Sequence, residues 1–107
     1  MTNPELPDGV SVETVYAVEI SYSPEAKERR PAVRHEHLTR VARLLREGTL
    51  IEAGGYLDWK SALLIFRAAN EQEAIDLIRD DVYLRSGVWL DDPVARPMAR
   101  IVLDASR

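Results

Sequence analysis

The first regular segment of the chain, "ETVYAVEISYS" at residues 13–23, alternates between apolar and polar positions. Side chains in a strand point to opposite faces in turn, so every second residue shares a face. One face of this segment carries aromatic and branched apolar residues, Tyr16, Val18, Ile20 and Tyr22. Such residues favour strands. The pattern therefore predicts the first strand over residues 13–23.

Residues 23–47 have the spacing of a helix with one interruption. Ser23 followed by Pro24 is typical of a helix start, and Pro31 is expected to end that helical turn before a new helix begins at Ala32. From there to Glu47 the apolar positions recur at i, i+3, i+4 and i+7, at Leu38, Val41, Ala42 and Leu45. Gly48 is predicted to end this helix as a C-terminal glycine.

The second half of the chain repeats the alternation of strand and helix. Two apolar runs, "LIEAGGYLD" and "SALLIFRAA", are separated by "WK" and are predicted to pair as a hairpin. Asn70 and Glu73 have the spacing of a capping box, which predicts a second helix over "EAIDLIRDD". After Gly87, the runs "VWL" and "MARIVL" indicate strand, interrupted by "DDP" and by Pro97.

The order β, α, β, β, α, β predicts an α+β fold of the ferredoxin-like type. In this plan a four-stranded antiparallel sheet carries both helices on one face. Residues 1–12 lack an apolar period and are expected to form a flexible tail before a single domain at residues 13–107. Val15 and Ala17 make the start of the other sheet face apolar too. A second copy of the chain is the simplest cover, so we expect a homodimer, a dimeric α/β barrel whose sheets face each other across a small cavity.

Composition narrows the classes of function. Hydrophobic residues make up 46% and charged residues 30% of the 107 residues, which is typical of a folded domain. The formal net charge of −4, with basic residues scattered among acidic ones, argues against a nucleic acid partner. The lack of cysteine excludes thiolate chemistry and Cys-based metal sites, and no metal or cofactor is expected. The longest apolar run is too short for a membrane span, and residues 1–10 do not have the pattern of a signal peptide, so we expect a cytoplasmic protein.

The only two histidines, His35 and His37, stand two positions apart. On a helix they point about 200° apart, so they are poorly placed to share a metal. Both border the apolar stripe, but Val33 and Leu44 widen it on the side of His37. His37 is therefore the candidate for a pocket and His35 for a solvated surface. Periodicity alone also allows a half-buried structural role for His37.

A carboxylate that fixes the ring tautomer would let His37 act as a general acid or base. Candidates are Asp80 and Asp81 at the end of the second helix, and two further aspartates near the last strand, Asp91 and Asp92. The two helices of the ferredoxin-like plan lie antiparallel on one sheet, so an acid at the end of the second can reach the start of the first. Asp81 is the candidate partner of His37, and Asp80 beside it remains an alternative.

The sequence resembles the YCII-related family. The resemblance covers "VYAVEI", "RPAVRHEHLTRVARLLREGTLIEAGG", "DDVYLRSGV" and "ARPMARIVL", and its most specific part is the Arg-x-x-His-Leu element at Arg34–Leu38 with the "EGTLIEAG" that follows. It implies a dimeric ferredoxin-like α/β barrel with a His–Asp active site, at His37 and Asp81 here. Two prolines of the family are replaced, by Gly55 and Val82, which frees the backbone at both places. The "LDWKS" connection is also shorter than in many relatives.

Two functions remain open. In the first, the protein is a lyase or isomerase for a small cyclic or enolic molecule. His37 moves a proton and Asp81 orients and charge-balances its ring. Arg34 with Arg96 holds an anionic oxygen of the small-molecule ligand, although plain surface charge explains Arg96 as well.

Aromatic residues contribute to the same hypothesis. Tyr83 and Trp89 are expected to line the cavity and contact the ligand, although core packing explains them equally. In the second function, the same dimeric barrel holds a metabolite without turning it over, as a binding or accessory protein beside a larger enzyme. Fold cannot decide between the two, because one architecture hosts both uses.

Overall fold

The computed structural model describes residues 5–104, which form a four-stranded sheet with three helices. The elements in chain order are β1 (Val10–Ser21), α1 (Ala26–Glu47), β2 (Leu50–Gly55), β3 (Ser61–Phe66), α2 (Glu71–Arg79), α3 (Val82–Arg85) and β4 (Val94–Leu103). The strands lie in the order β2-β3-β1-β4, and every neighbouring pair is antiparallel. The predicted ferredoxin-like α+β fold is confirmed.

One hydrophobic core lies between the sheet and the helices. In β3, Ala62, Leu64 and Phe66 are buried and their neighbours are partly exposed, so the alternation along the strand separates a covered face from an open one. The core joins these residues to apolar side chains of both long helices, Ala26, Leu44, Ala74 and Ile78. Both helices therefore cover the same face of the sheet, and no helix or strand within residues 5–104 covers the other face.

Strand β1 begins earlier than the sequence predicted. Val10 pairs with Leu103, and the Asp104 N–H donates to the Gly9 carbonyl at 2.7 Å. Val10–Val12 therefore belong to the sheet and not to the expected tail, whose residues 1–4 lie outside the described residues. Because β3 pairs with β1 only from Tyr16 onward, the first part of β1 and the end of β4 form a two-stranded ribbon.

Helix α1 runs without a break through Pro31, so the predicted interruption there is wrong. Proline in the second turn removes one hydrogen bond and crowds the carbonyl four residues earlier. Contacts made by the first turn of α1 offset the free-energy cost of this proline. Ala26 is buried in the core, and the Arg29 guanidinium donates to the Ser86 carbonyl at 3.3 Å. The helix ends at Gly48 with φ of 80°, as predicted.

The segment after α2 differs from the prediction. The short helix α3 was not predicted, and Val88 and Trp89 are buried without forming a strand of the sheet, since Trp89 makes only an isolated bridge with Tyr22. Strand β4 then runs through Pro97. Proline is tolerated there because β4 lies at the edge of the sheet, where an outward N–H has no partner to lose.

Candidate active site

A cavity of about 220 Å³ lies between α1 and the β2–β3 hairpin, on the helix-bearing side of the sheet. Its lining comes from α1, β2, β3, α3 and the segments that follow β1 and α3: Tyr22, Arg30, Arg34, His37, Leu38, Val41, Ala53, Gly54, Gly55, Ala62, Leu64, Tyr83 and Trp89. This pocket lies within one chain, on the side of the sheet opposite the face where the cavity of a homodimer is expected. A volume below the range of about 300–1,000 Å³ that suits drug-sized ligands fits a small metabolite.

His37 and Asp81 form a buried pair at the end of this cavity. The His37 Nδ1 lies 2.8 Å from the Asp81 Oδ1, and the residues are 9% and 0% exposed. Asp81 is the N-cap of α3, and the same Oδ1 accepts the Tyr83 N–H at 2.9 Å. The N-cap hydrogen bond thus holds the Asp81 carboxylate in place. The carboxylate in turn orients the His37 imidazole, whose Nε2 remains available to the cavity.

The two adjacent aspartates, Asp80 and Asp81, differ in burial. The Asp80 side chain is 80% exposed and approaches only Arg40, at 3.9 Å. Asp81, by contrast, is fully buried and contacts the Nδ1 of the His37 ring. The alternative that the sequence left open is resolved in favour of Asp81, because the turn between α2 and α3 points it inward. His35 is exposed on the outer side of α1, as predicted.

Arg40 supports Asp81 from the opposite side. Its guanidinium lies 3.2 Å from the Asp81 Oδ2 and donates to the Leu77 carbonyl at 2.6 Å. Burial alone raises the pKa of Asp81, but hydrogen bonds from His37 and the Tyr83 N–H, with the charges of His37 and Arg40, outweigh it and lower the pKa below the ordinary 3.8. Arg40 was not among the residues predicted for the site, although its position one turn after His37 places it on the same edge of α1.

Aromatic rings pack around the imidazole. Tyr83 stacks on His37 with centroids 3.6 Å apart and an interplanar angle of 9°. Trp89 meets both rings edge-on, at 5.5 Å from His37 and 5.3 Å from Tyr83. Burial raises the pKa of the Tyr83 hydroxyl, and nearby Arg30 and Arg34 lower it by less. Tyr83 and Trp89 therefore both pack in the core and line the cavity.

The two arginines predicted for the site lie in different places. Arg34 lines the cavity beside His37. Arg96 lies on β4 opposite Ala17, on the open face of the sheet, and lines a surface depression with Glu19 and Asp92 instead. The prediction that Arg96 shares the site is wrong for the single chain, because β4 lies at the edge of the sheet remote from β2. Arg30, one turn before Arg34, takes its place in the cavity wall.

On the hairpin side of the cavity, Tyr22 and Gly55 are in close contact, which could not be predicted from the sequence. The Tyr22 hydroxyl lies against the backbone of Gly55, where a Cβ would overlap it. Tyr22 in turn packs on Trp59 at 5.2 Å, and Trp59 closes the hairpin with a positive φ of 61°, which is rare for a bulky residue. The glycine that replaces the family proline thus makes room for the Tyr22 ring.

Gly55→Ala is expected to lower the free energy of unfolding by about 1–3 kcal/mol, since a methyl group must displace the Tyr22 ring. Gly54→Ala is the matched control: no atom lies near a Cβ built there, so its effect should stay within about 0.5 kcal/mol. Urea unfolding of both variants measures the difference. Equal stability of the two variants would contradict the close contact.

Fold and site together define a small ferredoxin-like α+β protein whose pocket is lined by a histidine that a buried aspartate holds. The YCII-related domain model matches residues 14–97. The chain belongs to this family, as the sequence resemblance indicated.

Among solved structures, the chain is similar to 5-chloro-2-hydroxyhydroquinone dehydrochlorinase (TftG) from Burkholderia phenoliruptrix AC1100, in complex with 2,5-dihydroxybenzoquinone. The TM-score is 0.64 at 15% identity, over 77% of this chain and 90% of that one, which is a likeness of fold. Comparison with curated proteins gives no match. Within residues 5–104, no helix has the length and apolar character needed to cross a membrane.

Proposed function

We propose that the chain is an enzyme of the lyase or isomerase class that moves a proton on a small cyclic or enolic molecule. The observation that carries this proposal is the buried His37–Asp81 pair at the wall of the cavity. The Nδ1 of His37 is held by the carboxylate, and its Nε2 has no hydrogen bond within the described residues. A base held in one tautomer beside a cavity is what proton transfer requires.

The chemistry follows from the geometry of the pair. The Nε2 of His37 takes a proton from the ligand, and the electron pair left behind moves into a neighbouring carbonyl or expels a leaving group. Asp81 stabilises the imidazolium that forms and does not itself take the proton, because its pKa lies below the ordinary range. Return of the proton to another atom completes an isomerisation, whereas departure of the leaving group completes an elimination.

Of these two reactions, the likeness of fold to a dehydrochlorinase supports elimination. A dehydrochlorinase removes hydrogen chloride, which requires a base for the proton and an exit for the chloride. For this chain we propose a related reaction in which His37 is the base. The Tyr83 ring stacks on the imidazole, and Arg34 contacts the ligand.

Incubation with small enolic compounds in deuterated water tests the proposal. An enzyme of this class should exchange the proton next to the carbonyl, which nuclear magnetic resonance of the compound detects. The compound of the fold neighbour, 5-chloro-2-hydroxyhydroquinone, belongs in the panel with chloride release as its readout. Saturable binding without exchange or release would favour the non-catalytic binding protein instead.

We also propose that the chain works as a homodimer joined through the open sheet face. The radius of gyration is 15.7 Å, against about 13 Å for a compact chain of this size, because the β1–β4 ribbon projects from the body. The open face carries a shallow apolar groove over Leu63 and Ile65, and Val94 nearby is 57% exposed. A second copy would cover this face, since identical apolar surfaces complement each other about a two-fold axis.

Sedimentation equilibrium at micromolar concentration is expected to give twice the chain mass of 12.1 kDa. Leu63→Asp with Ile65→Asp places two charges on the open face and should shift the protein to monomer. Leu45→Asp, at an exposed apolar position of α1, is the control and should remain dimeric. A monomeric native protein would refute the proposed interface.

A further inference from the structure

The cavity carries positive charge that no neighbouring acid neutralises. Arg30 and Arg34 both line it, and neither forms an ion pair within residues 5–104. No aspartate or glutamate is part of the lining. Elsewhere most arginines are paired, and the chain as a whole has a net charge of −4. A concave site with one sign of charge in a protein of the opposite sign selects its ligand by charge.

The two arginines lie one turn apart on α1 and both contribute to the cavity wall. Arg30 and Arg34 stand four residues apart on α1, so they share one face of the helix and repel each other. Arg30 does not turn away, because it stacks on the ring of Trp59 with its Cζ 4.5 Å from the centroid. The turn that gives Trp59 its positive φ therefore fixes one of the two positive groups at the cavity.

Hydroxyl donors lie beside the two arginines. Burial raises the pKa of the Tyr22 hydroxyl, and Arg30, the Trp89 indole and Arg34 lower it by less, so the phenol stays protonated at neutral pH. The Trp89 indole N–H interacts with this hydroxyl and so is already engaged within the chain. The protonated hydroxyls of Tyr22 and Tyr83 can donate to an anion that the arginines attract.

We propose that the cavity binds a small planar organic anion, with its negatively charged oxygen between Arg30 and Arg34 and its ring toward the Nε2 of His37. The class comprises ring-sized enolates, phenolates and carboxylates. Size follows from the volume of about 220 Å³, and planarity from the aromatic walls, Tyr22, Tyr83 and Trp89. The inference deepens the proposed function, because the arginines would stabilise the oxygen on which charge resides as His37 moves the proton.

Paired probes test the charge selection. At a pH where the phenol is ionised, 4-nitrophenolate carries the charge, and 4-nitroaniline has the same shape without it. Calorimetric titration should show that the native protein binds the phenolate on the order of tenfold more tightly, the scale of a charge-assisted hydrogen bond. Added salt should reduce this preference, because Arg34 is exposed and Arg30 is partly exposed.

Arg30→Gln and Arg34→Gln should each reduce the preference severalfold, and the double variant should abolish it. Arg46→Gln, on the exposed last turn of the same helix, is the matched control and should keep it. His37→Gln should also keep the preference while it loses turnover, so the two proposals fail separately. Equal affinity for both probes in the native protein, or a preference that survives the double variant, would overturn the assignment.

Discussion

Replacing His37 by glutamine is expected to lower turnover by roughly 10²-fold or more while the fold is kept, the usual scale for loss of a general acid or base. Glutamine is close in volume and can still hydrogen-bond to Asp81, but it cannot take up a proton. The measurement is the rate of the exchange or elimination reaction at saturating substrate, with circular dichroism to verify the fold.

His35→Gln is the control for this experiment. His35 is exposed, and within residues 5–104 its side chain makes no hydrogen bond; only its backbone carbonyl accepts a side-chain bond, from the Thr39 hydroxyl at 2.8 Å. Its replacement should leave turnover unchanged and alter stability by no more than about 0.5 kcal/mol. Equal losses from both variants, or no loss from His37→Gln, would reject the role of His37.

Replacing Asp81 by asparagine is expected to lower the free energy of unfolding by about 3 kcal/mol, because the mostly buried Arg40 guanidinium then keeps only the exposed and more distant Asp80 as a counter-charge. Asparagine is a good N-cap and can still accept the Tyr83 N–H. The variant therefore removes charge more than it removes the cap. Asp80→Asn, one residue earlier and exposed, is the matched control and should stay within about 0.5 kcal/mol.

The pH dependence of stability gives an independent readout for Asp81. Its pKa is lower in the folded chain than the ordinary 3.8, so the unfolded state binds more protons in this range. The contribution is fully present above about pH 4 and is lost as the pH falls through the folded pKa. Denaturant titrations should show a smaller loss of stability on acidification in Asp81→Asn than in Asp80→Asn. Identical acid sensitivity would show that Asp81 is not held ionised in the fold.

Much of the fold could be predicted from local patterns. The alternation at Tyr16, Val18 and Ile20 and the cap at Asn70, which accepts the Glu73 N–H at 2.9 Å, each correspond to an element of the structure. The errors arose where tertiary contacts outweigh local rules. Pro31 stays helical in a segment whose first turn is anchored by the buried Ala26 and by the bond from Arg29 to the Ser86 carbonyl. Val88 and Trp89 are buried in the core without joining a strand of the sheet.

The site could be predicted only in part, for a similar reason. His37 followed from its place on the apolar stripe and from the family resemblance, and the choice of Asp81 over Asp80 needed the turn geometry. Arg96 was assigned from charge alone, and charge along the sequence does not say which edge of a sheet a residue occupies. Tyr22 was counted as core, and its approach to Gly55 is visible only in three dimensions.

The pairing of β1 with β4 has a consequence for biosynthesis. Val10 and Leu103 are partners, so the longest ladder of the sheet joins residues that are synthesised far apart in time. Until residues 94–103 have emerged from the ribosome, β1 lacks its outer neighbour and offers free backbone groups to any other extended chain. Such distant pairings also slow folding. A translation product that stops before β4 would therefore carry an aggregation-prone edge, and productive folding would wait for the last strand.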